Sequence, residues 1–220
     1  MKQLLGIFLI GVVCMPAFSQ TGSLKNEQDS VSYSMGLLMG TSIQKAGITE
    51  INDQVFLQGI KDMVYGTPQI ISPDQANTIM NTYLMKLVAK KASDNLIKGQ
   101  QFLAENAKKE GVITMPSGLQ YKVIKAGEGP SPVDTSMVTV HYTGTFIDGK
   151  VFDSSVERGE PAEFGVGDVI PGWTEALKLM NAGANYMVYI PASLAYGENS
   201  PASVEPNSVM IFDIHLLSFK

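Results

Sequence analysis

Apolar positions recur along this chain with two different periods. From Asp29 to Gly111 they return every three or four residues, and beyond Gly111 they return every second residue. The first stretch, "DSVSYSMGLLMGTSIQKAG", puts small residues Ser32, Gly36 and Gly40 at every fourth position, beside Met35, Leu38, Met39 and Ile43. Glycine inside a helix costs about 1 kcal/mol against alanine. Its repetition at this spacing predicts a face that another helix approaches closely, with a weak, frayed helix as the alternative. A second helix is predicted over "NDQVFLQGIKDMVYG", stopped by Gly66. The third opens on Ser72 as N-cap, Pro73 in the first helical position and Gln75 to complete a capping box. Its pattern runs through Leu96, Phe102, Leu103 and Ala107 to Lys108-Lys109, with Gly111 beyond the end and Gly99 as the weakest point. A helix over about 72–110 spans roughly 60 Å. No small domain covers that length, so an arm is predicted, its apolar faces covered by a second copy in a homodimer.

In the second half "GLQYKVIKAG", "MVTVHYTGTFIDGKVFD", "ANYMVYIPASLAYG" and "SVMIFDIHLLSF" alternate as half-buried strands do. Turn signals at 127–130, Asp148-Gly149 and Pro206-Asn207 separate them. Only Trp173 to Met180 has helical spacing there. The fold class is therefore α+β: an all-α N-terminal region with a long connecting helix, then an antiparallel sheet wrapped around one short helix. Val138, Val140 and Tyr142 share one strand face, as do Phe212, Ile214 and Leu216.

Composition narrows the function. A net charge of −5 argues against a nucleic-acid partner. The N-terminus, "MKQLLGIFLIGVVCMPAFSQ", reads as a secretory signal over 1–19 with cleavage after Ser19. Lipid attachment at Cys14 is the competing reading, disfavoured because Val13 stands where that processing wants a small residue. Cys14 is the one cysteine, so the exported chain has no thiol chemistry. After residue 20 no stretch approaches the roughly 20 apolar residues that span a bilayer.

No nucleophile motif, phosphate loop or catalytic carboxylate pair stands out, and no cofactor or metal is expected. His141 and His215 fall on the less apolar strand faces, 74 positions apart, without metal-ligand spacing. The one tryptophan, Trp173, follows Pro171-Gly172 on the first turn of the short helix.

"VTVHYTGTFIDGKVFDSSVERGEPAEFGVGDVIPGWTEALKLMNAG", "PASLAYG" and "PNSVMIFDIHLL" closely resemble the FKBP-type peptidyl-prolyl isomerase domain. The helical half, joined through "FLAENAKKEGVITMPSGLQYKVI", resembles the exported bacterial subgroup that includes the macrophage infectivity potentiator and its periplasmic relatives. The resemblance implies a helical dimerisation domain over 20–111 and an isomerase domain over 112–220. It implies a periplasmic homodimer that isomerises X–Pro bonds in unfolded or nascent exported proteins, with accompanying chaperone activity and macrolide inhibitors as ligands. It also lines a pocket with Tyr142, Phe152, Val169, Ile170, Trp173, Tyr196 and Phe212, with Asp153 and Arg158 at the wall. Trp173 becomes the floor beneath a prolyl ring. The Ile170 N–H donates to a substrate carbonyl, and the Tyr196 hydroxyl meets the carbonyl before the proline. Asp153 holds Tyr142 and Arg158, either for catalysis or as a buried carboxylate that only shapes the pocket. Two departures bear on substrate preference and macrolide binding. Ala162 replaces a bulky pocket residue, and the 198–208 loop is short, with Val204 as its apolar contact. The alternative function is a non-catalytic chaperone that grips prolyl segments.

Overall fold

A computed structural model describes residues 23–201 and 203–220; the predicted signal peptide and Cys14 lie outside them. The chain divides into two compact units between Pro68 and Gln69.

The first unit holds α1 (Glu27–Lys45) and α2 (Asp53–Tyr65). Each starts on an asparagine whose side chain accepts a backbone N–H one turn ahead: Asn26 from Asp29 at 2.8 Å and Asn52 from Val55 at 3.1 Å. Gly66 ends α2 in the left-handed region, at φ 66°. The helix predicted as small-faced or frayed is continuous over its 19 residues, yet none of them is buried. A Cβ at Gly36 or Gly40 would meet nothing within 4 Å. The small face is intact and uncovered in the single chain.

The second unit begins with α3 (Pro73–Asn106). Both bonds of the capping box form: Gln75 N–H to Ser72 Oγ at 3.2 Å and Ser72 N–H to Gln75 Oε1 at 2.9 Å. The helix runs 34 residues and stops at Asn106, short of the expected Lys109. Asn106 is fully buried, its Nδ2 donating to Gln120 Oε1 at 2.9 Å, while Gln120 Nε2 donates to the Leu103 carbonyl at 2.9 Å. The chain then turns through Gly111, at φ 78°, into the first strand. Gly99 is a contact point where a weak point was expected. It is buried, and a Cβ there would lie 2.8 Å from Val209 Cγ2.

The remaining elements are β1 (Val112–Thr114), β2 (Gln120–Lys125), β3 (Met137–Thr145), β4 (Val151–Ser154), α4 (Ser155–Arg158), β5 (Ala162–Gly165), α5 (Pro171–Leu177), β6 (Asn185–Ile190) and β7 (Met210–Phe219). The strands form one antiparallel sheet in the order β1-β2-β6-β7-β3-β4, with β5 added to β3. The period-two pattern resolves as expected: Val138, Val140 and Tyr142 of β3 and Phe212, Ile214 and Leu216 of β7 are buried in one core. Into it α5 inserts Trp173, Ala176 and Leu177. The helix ends three residues before the predicted Met180, which is still fully buried. β1, β5 and α4 have three or four residues each, too few for a period to register.

The seating of α5 depends on Gly172, where a Cβ would collide with the Ile190 side chain of β6. Gly172→Ala should therefore lower stability by about 1–3 kcal/mol, seen as an earlier urea midpoint at unchanged slope. An unmoved midpoint would show that the helix can lift off the sheet at no cost.

Candidate active site

A cavity of about 560 Å³ opens at the N-terminal end of α5. Proline fills the first helical position and supplies the fixed φ that starts the helix there. Thr174 Oγ1 donates to the Val166 carbonyl at 2.7 Å and ties the first turn to the preceding segment. The helix thus aims Trp173 into an aromatic cluster. Its ring packs edge-on to Tyr142 (centroids 5.2 Å, 89°), Phe212 (5.2 Å, 87°) and Phe164 (5.7 Å, 77°). Edge-to-face contacts of this kind fix ring orientation as well as position. Trp173 is only 4% exposed, yet it lines the cavity. Phe152 stands edge-on to Phe212 at 5.5 Å. That closure requires Gly144, where a Cβ would come within 2.5 Å of Phe152 and 2.8 Å of Phe212.

One wall is polar. Tyr142 donates its hydroxyl proton to Asp153 Oδ2, Arg158 Nη1 donates to Asp153 Oδ1, and Arg158 Nη2 donates to the Tyr142 hydroxyl oxygen at 3.1 Å. The Arg158 guanidinium also lies 5.7 Å from the Tyr142 ring centroid. Arg158 reaches back because α4 turns the chain straight after β4, capped by Ser154 Oγ accepting from the Glu157 N–H at 3.2 Å. Burial pushes the Tyr142 phenol up, and the Asp153 carboxylate beside it adds to the rise. Burial alone would raise Asp153, but hydrogen bonds from Tyr142 and Arg158, with the arginine charge, hold it below the usual carboxylate range. Asp153 is not the buried carboxylate of one sequence-based reading. Its side chain is 42% exposed, because it sits at the open rim.

Val169, Ile170, Tyr196 and Val204 complete the wall with Phe152, Asp153 and Phe212. Arg158 stands behind Asp153 and does not line the cavity. Two polar groups at the rim have no protein partner among the described residues: the Tyr196 hydroxyl and the Ile170 N–H. Sequence reasoning missed Phe164, Asp168, Pro201, Ser203 and Met210 as lining residues. It expected the gap at Ala162 to open the wall. Ala162 pairs with Val140 in the sheet and does not line the cavity, whereas Phe164, two residues on and on the same strand face, reaches it. The alternation "AEF" carried that signal.

His141 and His215, distant in sequence, are direct cross-strand partners of β3 and β7 on the sheet's other face. His141 Nδ1 lies 3.2 Å from Ser155 Oγ. Among the described residues no three His, Cys, Asp or Glu side chains are grouped to hold a metal, and no helix is long and apolar enough to cross a membrane.

Residues 129–217 match the family described as FKBP-type peptidyl-prolyl cis-trans isomerase, and residues 28–123 match the domain amino terminal to it. The chain is 43% identical to the outer membrane protein MIP of Legionella longbeachae, over 96% of this chain and 95% of that one. It is 40% identical to the FKBP-type peptidyl-prolyl cis-trans isomerase FkpA of Aeromonas hydrophila, over 93% of this chain and 81% of that one. The crystal structure of FkpA from Escherichia coli superposes with a TM-score of 0.71 at 34% identity, covering 90% of this chain and 99% of that one. With both halves matched and the cavity built as described, the chain belongs to the FKBP-type peptidyl-prolyl cis-trans isomerases.

Proposed function

We propose that this peptidyl-prolyl cis-trans isomerase works by seating a prolyl ring on Trp173 and easing the preceding amide out of plane in a dry aromatic cavity. The observation that carries the reading is the edge-on cluster of Trp173, Tyr142, Phe164 and Phe212 beneath a rim with two unpartnered donors. The barrier to X–Pro rotation, about 18–20 kcal/mol, is lost amide resonance, and uncatalysed exchange takes roughly tens to hundreds of seconds. No covalent bond breaks and no proton moves, so a nucleophile or acid–base pair has no task. The planar amide is more dipolar and better hydrated than the twisted one. A cavity that strips water from it disfavours the planar form more. Each tenfold gain in rate needs about 1.4 kcal/mol of that difference.

The Tyr196 hydroxyl and the Ile170 N–H then hold substrate carbonyls on either side of the twisting bond. Asp153, braced from behind by Arg158, keeps Tyr142 in place at the wall, with Phe152, Val169, Val204 and Phe212 as the apolar sides. The size and apolar lining also suit macrolide inhibitors. The clients are proline-containing exported proteins met unfolded or during synthesis, in the cell envelope after removal of the leader. Apolar side chains left open on the first unit, among them Met35, Leu38, Val55 and Val64 at 54–71% exposure, are covered by a second copy in a homodimer. The same faces favour a second activity, holding unfolded chains.

Four outcomes test this reading. Asp153→Ala should lower kcat/KM on a proline peptide about tenfold, equivalent to ~1.4 kcal/mol. Trp173→Ala should abolish turnover and cost about 3–5 kcal/mol of stability. A folded Asp153→Ala chain with wild-type turnover removes Asp153 from the mechanism. The pH profile of kcat/KM should be level from about pH 5 to 9. Folding favours ionised Asp153, so its contribution is full above the unfolded value near 4 and fades only as pH falls through the lowered folded value. A bell centred near neutrality would point to proton transfer instead. Sedimentation should give a dimer that Gly36→Leu with Gly40→Leu dissociates while peptide turnover persists. A monomeric wild-type chain sinks the proposed assembly.

A further inference from the structure

We infer that Asn95, on the long helix α3 and outside the cavity lining, is a positioning residue for the cavity wall; this rests on the isomerase reading above. Among the described residues from Glu198 to Val209 there is no helix or strand. Its first part faces the cavity through Pro201, Ser203 and Val204, and Val204 is 8% exposed. Its second part, directly after Val204, is gripped by α3. Asn95 Nδ2 lies 2.9 Å from the Pro206 carbonyl, 3.2 Å from Glu205 Oε2 and 3.4 Å from Ser208 Oγ.

Lys91 Nζ approaches the other Glu205 oxygen at 3.2 Å. That pair is largely exposed and contributes little by itself. The Asn95 contacts are half-buried and include a backbone carbonyl, where a lost donor is felt more. Gly99, one turn on, lets Val209 sit against the helix. Lys91, Asn95, Gly99 and Leu103 recur every fourth residue, so a single helical face carries the whole contact. Asn106 and Leu103, through Gln120, lock the same face to β2. The helix is therefore a strut, anchored on the sheet, that holds the loop from behind.

The loop's own bonds make the grip matter for Val204. The Val204 N–H donates to the Pro201 carbonyl at 2.9 Å, Asn207 N–H to the Gly197 carbonyl at 2.8 Å, and Asn207 takes a left-handed φ of 54°. This tight turn transmits a shift at Pro206 to Val204 two residues away. Without the Asn95 donor the loop samples positions in which the wall is open. Only the closed fraction binds substrate, so apparent affinity falls by that fraction while chemistry in the bound state is untouched.

The test is peptide kinetics on the full chain. Asn95→Ala should raise KM about two- to tenfold, the scale of one net hydrogen bond, with kcat within about twofold. Asn95→Asp, which sets a carboxylate against Glu205 and the Pro206 carbonyl, should raise it further, and Glu205→Gln in that background should recover part of the loss. Gly99→Val, which pushes the loop away through a different contact, should act in the same direction. Lys90→Ala, on an exposed pair with Asp94, should change nothing. Trp173 is the one tryptophan, so acrylamide quenching of its fluorescence should rise in Asn95→Ala at temperatures where the chain is fully folded. Wild-type KM and quenching in Asn95→Ala would overturn the inference, as would a loss confined to kcat. If those values stay normal while Asp153→Ala still loses turnover, only the strut is wrong. If the wild-type chain itself does not isomerise the peptide, the cavity reading fails first.

Discussion

Trp173 lines the cavity only because the helix that carries it lies close against the sheet. Gly172 brings the first turn of α5 against Ile190, closer than any side chain would permit. The indole is thereby carried into a ring of three aromatic side chains that meet it at 77–89°. Those angles matter as much as the burial. Neighbours held near right angles fix the orientation of the indole, which still lines the cavity. The cavity is thus a consequence of core packing: Tyr142, Trp173 and Phe212 belong to the hydrophobic core and to the site at once.

A site built into a core has a particular electrostatic character. Tyr142, Asp153 and Arg158 satisfy one another, so the wall keeps its polar groups oriented without leaving an uncompensated charge. Their shifted ionisation states point away from proton transfer: the phenol is held protonated and the carboxylate ionised over the neutral range. That suits a reaction whose barrier is resonance and hydration. The useful properties are dryness, shape and a few fixed dipoles.

The long helix ties this site to the rest of the chain. One face of α3, with contacts from Lys91 to Asn106, docks on the isomerase sheet and on the back of the loop that closes the cavity. Its earlier turns carry exposed apolar side chains such as Ile79, Met85 and Val88. One continuous helix therefore both contacts the loop beside the cavity and presents an apolar surface.

Local signals in the sequence determined much of this. The capping box at Ser72, the left-handed stop at Gly66, the period-two strands and the start of α5 at Pro171 all act within a few residues. The order of motifs identified most of the cavity, since Tyr142, Phe152, Trp173 and Phe212 stand in segments that match the family along their length. Contacts between distant segments were decided only by the tertiary structure. Gly99 looked like a defect because glycine weakens a helix, and its partner Val209 is 110 positions away. The last turn of α3 is tied to the sheet through Asn106 and Gln120, 14 positions apart, a contact that no capping rule considers. Phe164 reaches the cavity and Ala162, on the same strand face, does not, a difference set by where β5 pairs along β3. Asn95 carried no signal at all, for a hydrogen bond to a loop over a hundred residues away leaves no local period to detect.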